Sequence, residues 1–281
     1  MTRGEKIAWI WVWSAMAVVA LGLATAAWRY AGLPKAFVDS LICTDGKEND
    51  AGPACRRVLA SNMSTLDMRT GAYLRLATLA KEAGRYDEVL GHLDALIATG
   101  QATALDWNER GVARYTLGRF KDAADDFRAA IGMDDKIGIF WANLADARLE
   151  MKDYAEAERN YGAALALGAD TAEILGNRGW ARYQLGSFEE ALKDFDAALA
   201  KDPKHFDNLN ERGLVHHALG DYPAALADFD QSIELSSKNA VILTNRSASL
   251  SRLGQWEKAQ ADLDLAISLD PKYAPARLEK A

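Results

Sequence analysis

Two stretches of this chain repeat one phrase. Asn108–Phe127 reads NERGVARYTLGRFKDAADDF, and Asn210–Phe229, 102 residues later, reads NERGLVHHALGDYPAALADF. The offset is three times 34, and the intermediate copies are present. Ala77, Gly111, Ala145, Gly179, Gly213 and Ser247 each stand 34 residues after the last. Seven residues on come Gly84, Gly118, Lys152, Gly186, Gly220 and Gly254, where a helix should stop and turn. A period held without insertion confines the chain to an array of equal units. Each copy holds two stretches of helical periodicity joined at the glycine, and one copy cannot bury its apolar face alone, so the copies must stack.

The remaining columns are also regular. An aromatic column holds Tyr86, Phe120, Tyr154, Phe188, Tyr222 and Trp256; a small one holds Ala123, Ala157, Ala191, Ala225 and Ala259. Leu93, Phe127, Tyr161, Phe195, Phe229 and Leu263 follow, then Ala130, Ala164, Ala198, Ser232 and Ala266, with Pro203 and Pro271 closing two copies. This pattern resembles the tetratricopeptide repeat family over Thr70 to Tyr273, in six copies. The resemblance implies an all-α fold, a right-handed solenoid of six helix-turn-helix units. Trp107 and Trp141, at the fourth position of their copies, are expected in its core.

Composition agrees with helices, since only 6 prolines occur in 281 residues. A net charge of −7 with scattered Lys and Arg argues against nucleic acid as a partner.

Ahead of the array, Ile7–Trp28 carries 22 residues without a charge. As a helix rising about 1.5 Å per residue it would cross a ~30 Å hydrocarbon core. Trp9, Trp11, Trp13, Trp28 and Tyr30 lie toward its ends, where aromatic rings favour the interface. The small residues Ala24–Ala27 also fit a signal-peptidase site, so a cleaved signal competes with a single-pass anchor; the length and the Trp-rich start favour the anchor. Arg3 and Lys6 before the span match Arg29 and Lys35 after it, which leaves orientation to the cysteines. Cys43 and Cys55 flank a stretch rich in Gly, Asp, Asn and Pro that could fold back as a loop and close a disulfide, and such bonds persist in oxidising compartments. The expected organisation is a tail at 1–6, an anchor at 7–30, a linker or capping segment at 31–69, repeats at 70–273 and a tail at 274–281. The anchor would lie in the inner membrane with the repeats in the periplasm.

The Arg of NERG invites a catalytic reading, but the copies supply another. Arg110, Arg178, Arg212 and Arg246 are each followed sixteen residues later by Asp126, Asp194, Asp228 and Asp262; the copies with Leu76 and Leu144 instead have His92 and Asn160 there. Charges that come and go together point to an ion pair between the two helices of a copy. No nucleophile with a base, phosphate loop or zinc spacing accompanies them, and His216 and His217, being adjacent, face different ways. The expectation is therefore a chain without catalytic residues, cofactor or metal.

The family resemblance implies that the first helix of each copy lines a groove, at positions 2, 5, 9, 12 and 13. Positions 9 and 12 of the middle copies hold Val112, Tyr115, Asp146, Leu149, Trp180, Tyr183, Leu214 and His217. They form an apolar and aromatic track free of core duties, suited to a peptide or helix of a protein partner. The clamp with which some relatives hold acidic chaperone tails is not matched. Asn108, Asn143 and Asn177 occur, but Leu74, Ala142, Gly176, Glu173 and Asp207 stand where its lysines would be.

At the start of the array, Ala54–Ala60 resembles a stray second helix that could cap it. At the end, the face near Leu263 and Ile267 is a candidate for self-association, because the residues beyond Tyr273 are too few for a stable helix. Taken together, these features suggest a membrane-anchored scaffold serving assembly or maturation of an envelope complex, with a cytoplasm-facing adaptor or a regulatory subunit of a membrane enzyme as alternatives.

Overall fold

The computed structural model describes residues 33–46, 48–236, 239–273 and 275–276. Fourteen helices and no strand occur among them. The chain divides into two compact units, Met1–Ala102 and Thr103–Ala281. The apolar run Ile7–Trp28 lies outside the described residues, and among the described residues no helix is long and apolar enough to cross a membrane.

The first unit contains α1 (Lys35–Asp45), α2 (Glu48–Ala60), α3 (Leu66–Glu82) and α4 (Tyr86–Ala98). The stretch between the cysteines is mostly helical rather than a loop, because α2 starts at Glu48 and carries Pro53 within it. Cys43 on α1 and Cys55 on α2 are joined by a disulfide with their Cα atoms 4.7 Å apart. Both sulfurs are buried with Ala54, Val58, Ala72 and Leu76, so the bond ties a hairpin whose apolar side rests on α3. Arg57 adds a contact to Asp39, Nη2 to Oδ1 at 2.8 Å. The stray second helix of the sequence therefore has a partner of its own. Capped by Thr65, whose side chain accepts from the Met68 N–H, α3 begins a turn ahead of Thr70.

The second unit contains five helix pairs: α5 (Ala104–Thr116) with α6 (Phe120–Met133), α7 (Gly138–Glu150) with α8 (Tyr154–Ala166), α9 (Ala172–Gln184) with α10 (Phe188–Lys201), α11 (Phe206–Ala218) with α12 (Tyr222–Ser236), and α13 (Ala240–Arg252) with α14 (Trp256–Leu269). Each helix packs on the next, and the first helices also approach one another, α5 to α7, α7 to α9, α9 to α11 and α11 to α13. Closer approach on that side makes it the inside of the row.

In four of the copies a ring fills the angle between the helices. Phe127, Tyr161, Phe195 and Phe229 are fully buried and lie against the small residue sixteen positions earlier. A Cβ at Gly111 would come within 2.5 Å of the Phe127 ring, one at Gly213 within 2.7 Å of Phe229, and one at Gly179 within 3.1 Å of Phe195. The three copies with Ala or Ser at that position carry Leu93, Tyr161 or Leu263 as the opposing side chain. Phenylalanine and glycine are thus one packing unit written at two places.

The turns are built alike. The Gly118 N–H reaches the Tyr115 carbonyl at 2.8 Å and the Arg119 N–H reaches the Arg114 carbonyl at 2.8 Å, with Gly118 at φ +73°. The same turn forms at Lys152, whose N–H reaches the Leu149 carbonyl at 2.8 Å and whose neighbour's N–H, that of Asp153, reaches the Arg148 carbonyl at 2.9 Å, with a side chain at φ +60°.

The expected open face at the end of the array is not open. Leu263 is buried, and it and Ile267 pack with Tyr273 and Ala276, so residues beyond the last helix pair cover it. Trp107 and Trp141 are half-buried rather than core, Trp107 under the Arg110 guanidinium at 4.6 Å and Trp141 donating to the Asp135 carbonyl at 2.9 Å.

Candidate partner-binding face

The Arg of the repeated phrase is engaged with the Asp sixteen residues later, between the two helices of its copy. Arg110 holds Asp126 in a fork, Nη2 to Oδ1 at 2.6 Å and Nε to Oδ2 at 3.0 Å. Arg178 holds Asp194 at 2.6 and 2.8 Å, Arg212 holds Asp228 at 2.7 and 2.9 Å, and Arg246 holds Asp262 at 2.6 and 2.8 Å. The geometry adds what the sixteen-residue spacing does not contain. Arg114 and Arg182 place a second guanidinium on Asp126 and Asp194, at 2.7 and 2.8 Å. Arg182 also reaches Glu158 at 2.9 Å, Arg212 reaches Asp196 and Arg246 reaches Asp230, both at 2.7 Å, and all three acids belong to the preceding copy. The pairs therefore form staples between copies as well as braces within them.

On the inner face, the rings of the track are less free than positions 9 and 12 suggest. Tyr115 lies edge-on to Phe120 at 5.2 Å, Tyr183 is 5.7 Å from Phe188, and His217 is edge-on to Tyr222 at 5.2 Å. In each case the ring closing the first helix leans on the ring opening the second, across the glycine turn. Trp180 stacks on Tyr183 at 5.2 Å with the planes 21° apart. Val112, Tyr115, Leu149, Trp180, Tyr183 and Leu214 are half-buried and packed against the cores of their copies. The track is a fixed surface whose outer half alone is available to a ligand.

Its polar members are tied in differently. Asp146 accepts from the Tyr161 hydroxyl and, at 3.2 Å, from Asn177 Nδ2. Burial, against these hydrogen bonds and with Glu173 and Glu150 nearby, pushes its carboxyl up to about 6. Burial and the neighbouring acids push the Tyr115 phenol up to about 12. His217 Nδ1 lies 2.8 Å from Ser249 Oγ.

Neighbouring first helices are laced by amides. Asn143 donates to Asn108 at 2.7 Å and Asn245 to Asn210 at 2.9 Å, while Asn177 uses Asp146 because Ala142 replaces the accepting Asn. These contacts identify a sixth position on the inner face that the expected groove set omits. Position 6 adds two acids to the four that the groove positions already hold. Across copies 2 to 5 the inner positions hold Glu109, Asp146, Glu150, Glu173, Asp207 and Glu211 and neither Lys nor Arg. The 34-residue register carries this signal: Glu173, Asp207, Asp146 and Glu150 stand at groove positions 2, 9 and 13, and Glu109 and Glu211 at the added position 6.

A model of the tetratricopeptide repeat matches residues 74–136, 143–206 and 177–240. Solved structures with the same fold include YrrB, described as a tetratricopeptide repeat protein with an unusual peptide-binding site, at 18% identity and a TM-score of 0.57, with 67% of this chain and 97% of that one covered. PilF of Pseudomonas aeruginosa aligns at 18% identity and a TM-score of 0.64, over 76% of this chain and 98% of its own. The C-terminal part of a repeat protein from Cytophaga hutchinsonii aligns at 14% identity and a TM-score of 0.62, over 86% and 97%. No match was found among curated proteins.

Proposed function

Because the chain belongs to the tetratricopeptide repeat family, we propose that it is a scaffold without catalytic residues whose inner face in the second unit receives a segment of a partner protein. The observation that carries this is the preformed surface of half-buried rings, Trp180 on Tyr183 above all, held in place by packing beneath it. A peptide-binding relative of the same fold, YrrB, supports the reading.

The same proposal places the chain in a membrane through Ile7–Trp28, with both units on the oxidising side, serving assembly or maturation of a membrane complex. Support comes from the 22 uncharged residues of that run and from the buried Cys43–Cys55 bond. Fusion of alkaline phosphatase to the C-terminus is expected to give active phosphatase; fluorescence from a C-terminal fluorescent protein in the cytoplasm would instead establish the adaptor reading. Crosslinking in mild detergent, compared between wild type and the pair Trp180→Ala and Tyr183→Ala, tests the surface. Partners recovered equally by both would remove it.

A further inference from the structure

Glu211 stands where three other seams carry an amide. Along the row of first helices in the second unit, position 6 of three copies is bonded to the preceding first helix: Asn143 to Asn108, Asn177 to Asp146 and Asn245 to Asn210. At the seam of α9 and α11 the residue is Glu211, and Gly176 opposite it has no side chain. Asn208, one turn earlier on α11, fills the space beside Gly176, and its Nδ2 is buried without a hydrogen-bond partner. Glu211 itself is half-buried; burial first, and then the charge of Asp207, pushes its carboxyl up to about 8. Among the described residues no protein donor reaches this partly desolvated carboxyl, so its burial opposes folding where the other seams gain a hydrogen bond.

The repeat register indicates its neighbour on the previous helix. Asn177 and Asp146 are 31 residues apart and in contact, and the same offset from Glu211 leads to Trp180. By that register an acid with no protein donor among the described residues corresponds to the broadest ring of the track, and the inner positions of copies 2 to 5 hold acids and neither Lys nor Arg. Resting on the partner-segment reading above, the geometry points to a partner segment that inserts a Lys or Arg side chain between Glu211 and the face of Trp180. The cation supplies the donor that the seam lacks, and the ring face adds attraction for it. Apolar residues of the segment on either side meet Tyr183 and Leu214. The charge of the surface excludes an acidic segment by like-charge repulsion.

The test selects a phage-displayed random peptide library on the purified full chain. An enriched peptide is then synthesised with a fluorophore, beside a copy whose Lys and Arg are replaced by Gln. Wild type is expected to enrich basic peptides and to bind the basic form at least tenfold more tightly than the Gln form. Glu211→Asn, which restores the amide of the other seams, is expected to lose that discrimination while its melting temperature stays or rises. A Glu211→Asn protein that keeps the discrimination, or that melts below wild type, overturns the assignment. Peptides without basic bias that still depend on Trp180, judged by Trp180→Ala, overturn it and leave the binding face standing. Enrichment of nothing, or of peptides indifferent to Trp180→Ala, removes the face itself.

Discussion

At the residue scale, the fold rests on pairs of side chains sixteen positions apart. Phe229 occupies the space that a Cβ at Gly213 would need, 2.7 Å away, so Gly213→Ala is expected to cost about 1 to 3 kcal/mol through overpacking. Adding Phe229→Leu should recover part of that loss, because copies with Ala77 or Ser247 use Leu93 or Leu263. Chemical unfolding of the two variants checks it, and an additive double variant would refute the pairing. The ion pairs behave differently because their members are shared. Asp194 accepts from Arg178 and Arg182, so Asp194→Ala leaves Arg178 without a carboxylate and Arg182 with Glu158 alone, and should cost about 3 to 5 kcal/mol. Arg178→Leu leaves Asp194 still held by Arg182 and should cost less than half as much in the same unfolding assay.

At the element scale, each helix pair depends on its turn and each seam on its polar contacts. Lys152 adopts φ +60° where the other five copies have glycine, and it makes the same turn hydrogen bonds. Lys152→Gly relieves the left-handed strain on a side chain and is expected to raise stability by about 1 kcal/mol, read as a higher melting temperature. The seam of α7 and α9 carries a proton-linked term. Asp146 rises from 3.8 when unfolded to about 6 when folded, so the folded state holds a proton that the unfolded state gives up. Stability from this group is therefore full below pH 4, falls as pH rises to about 6, and stays reduced above. Asp146→Asn, which keeps an acceptor for Tyr161 and Asn177, should be more stable than wild type at pH 7.5 by about 1 to 3 kcal/mol, with the gap closing below pH 4. An unfolding series across pH that shows a constant gap would contradict this.

At the scale of the whole molecule, the two units are stabilised by different means. The first has a short hairpin that α1 and α2 close with one disulfide, and a bond spanning this loop is worth about 3 kcal/mol in the loop-entropy account. The second has neither cysteine, and it relies on repeated ring burial and charge staples. Reduction should accordingly accelerate amide exchange in α1, α2 and α3 and leave α5 to α14 unchanged; equal acceleration in both would show that the hairpin does not depend on the bond.

The sequence by itself determined the helix pairs, their 34-residue register and the residues that face each other across a copy, because one repeating unit restates its packing requirements six times. Arg with Asp and glycine with phenylalanine are legible for that reason: each change on one side is answered at a constant distance on the other. Contacts between copies keep a constant partner only in part: Arg212 with Asp196 repeats in Arg246 with Asp230, and Asn143 with Asn108 in Asn245 with Asn210, but the remaining seams depart from both. Arg212 finds Asp196 where Arg182 finds Glu158, Asn177 turns to Asp146 when Ala142 cannot accept, and Glu211 is left with no donor. The helical nature of the stretch between the cysteines, the closing of the last face by Tyr273 and Ala276, and the partial burial of the ring track were likewise decided by tertiary structure. Each depends on how close two backbones come in space, and that distance is not written in the spacing of residues along one chain.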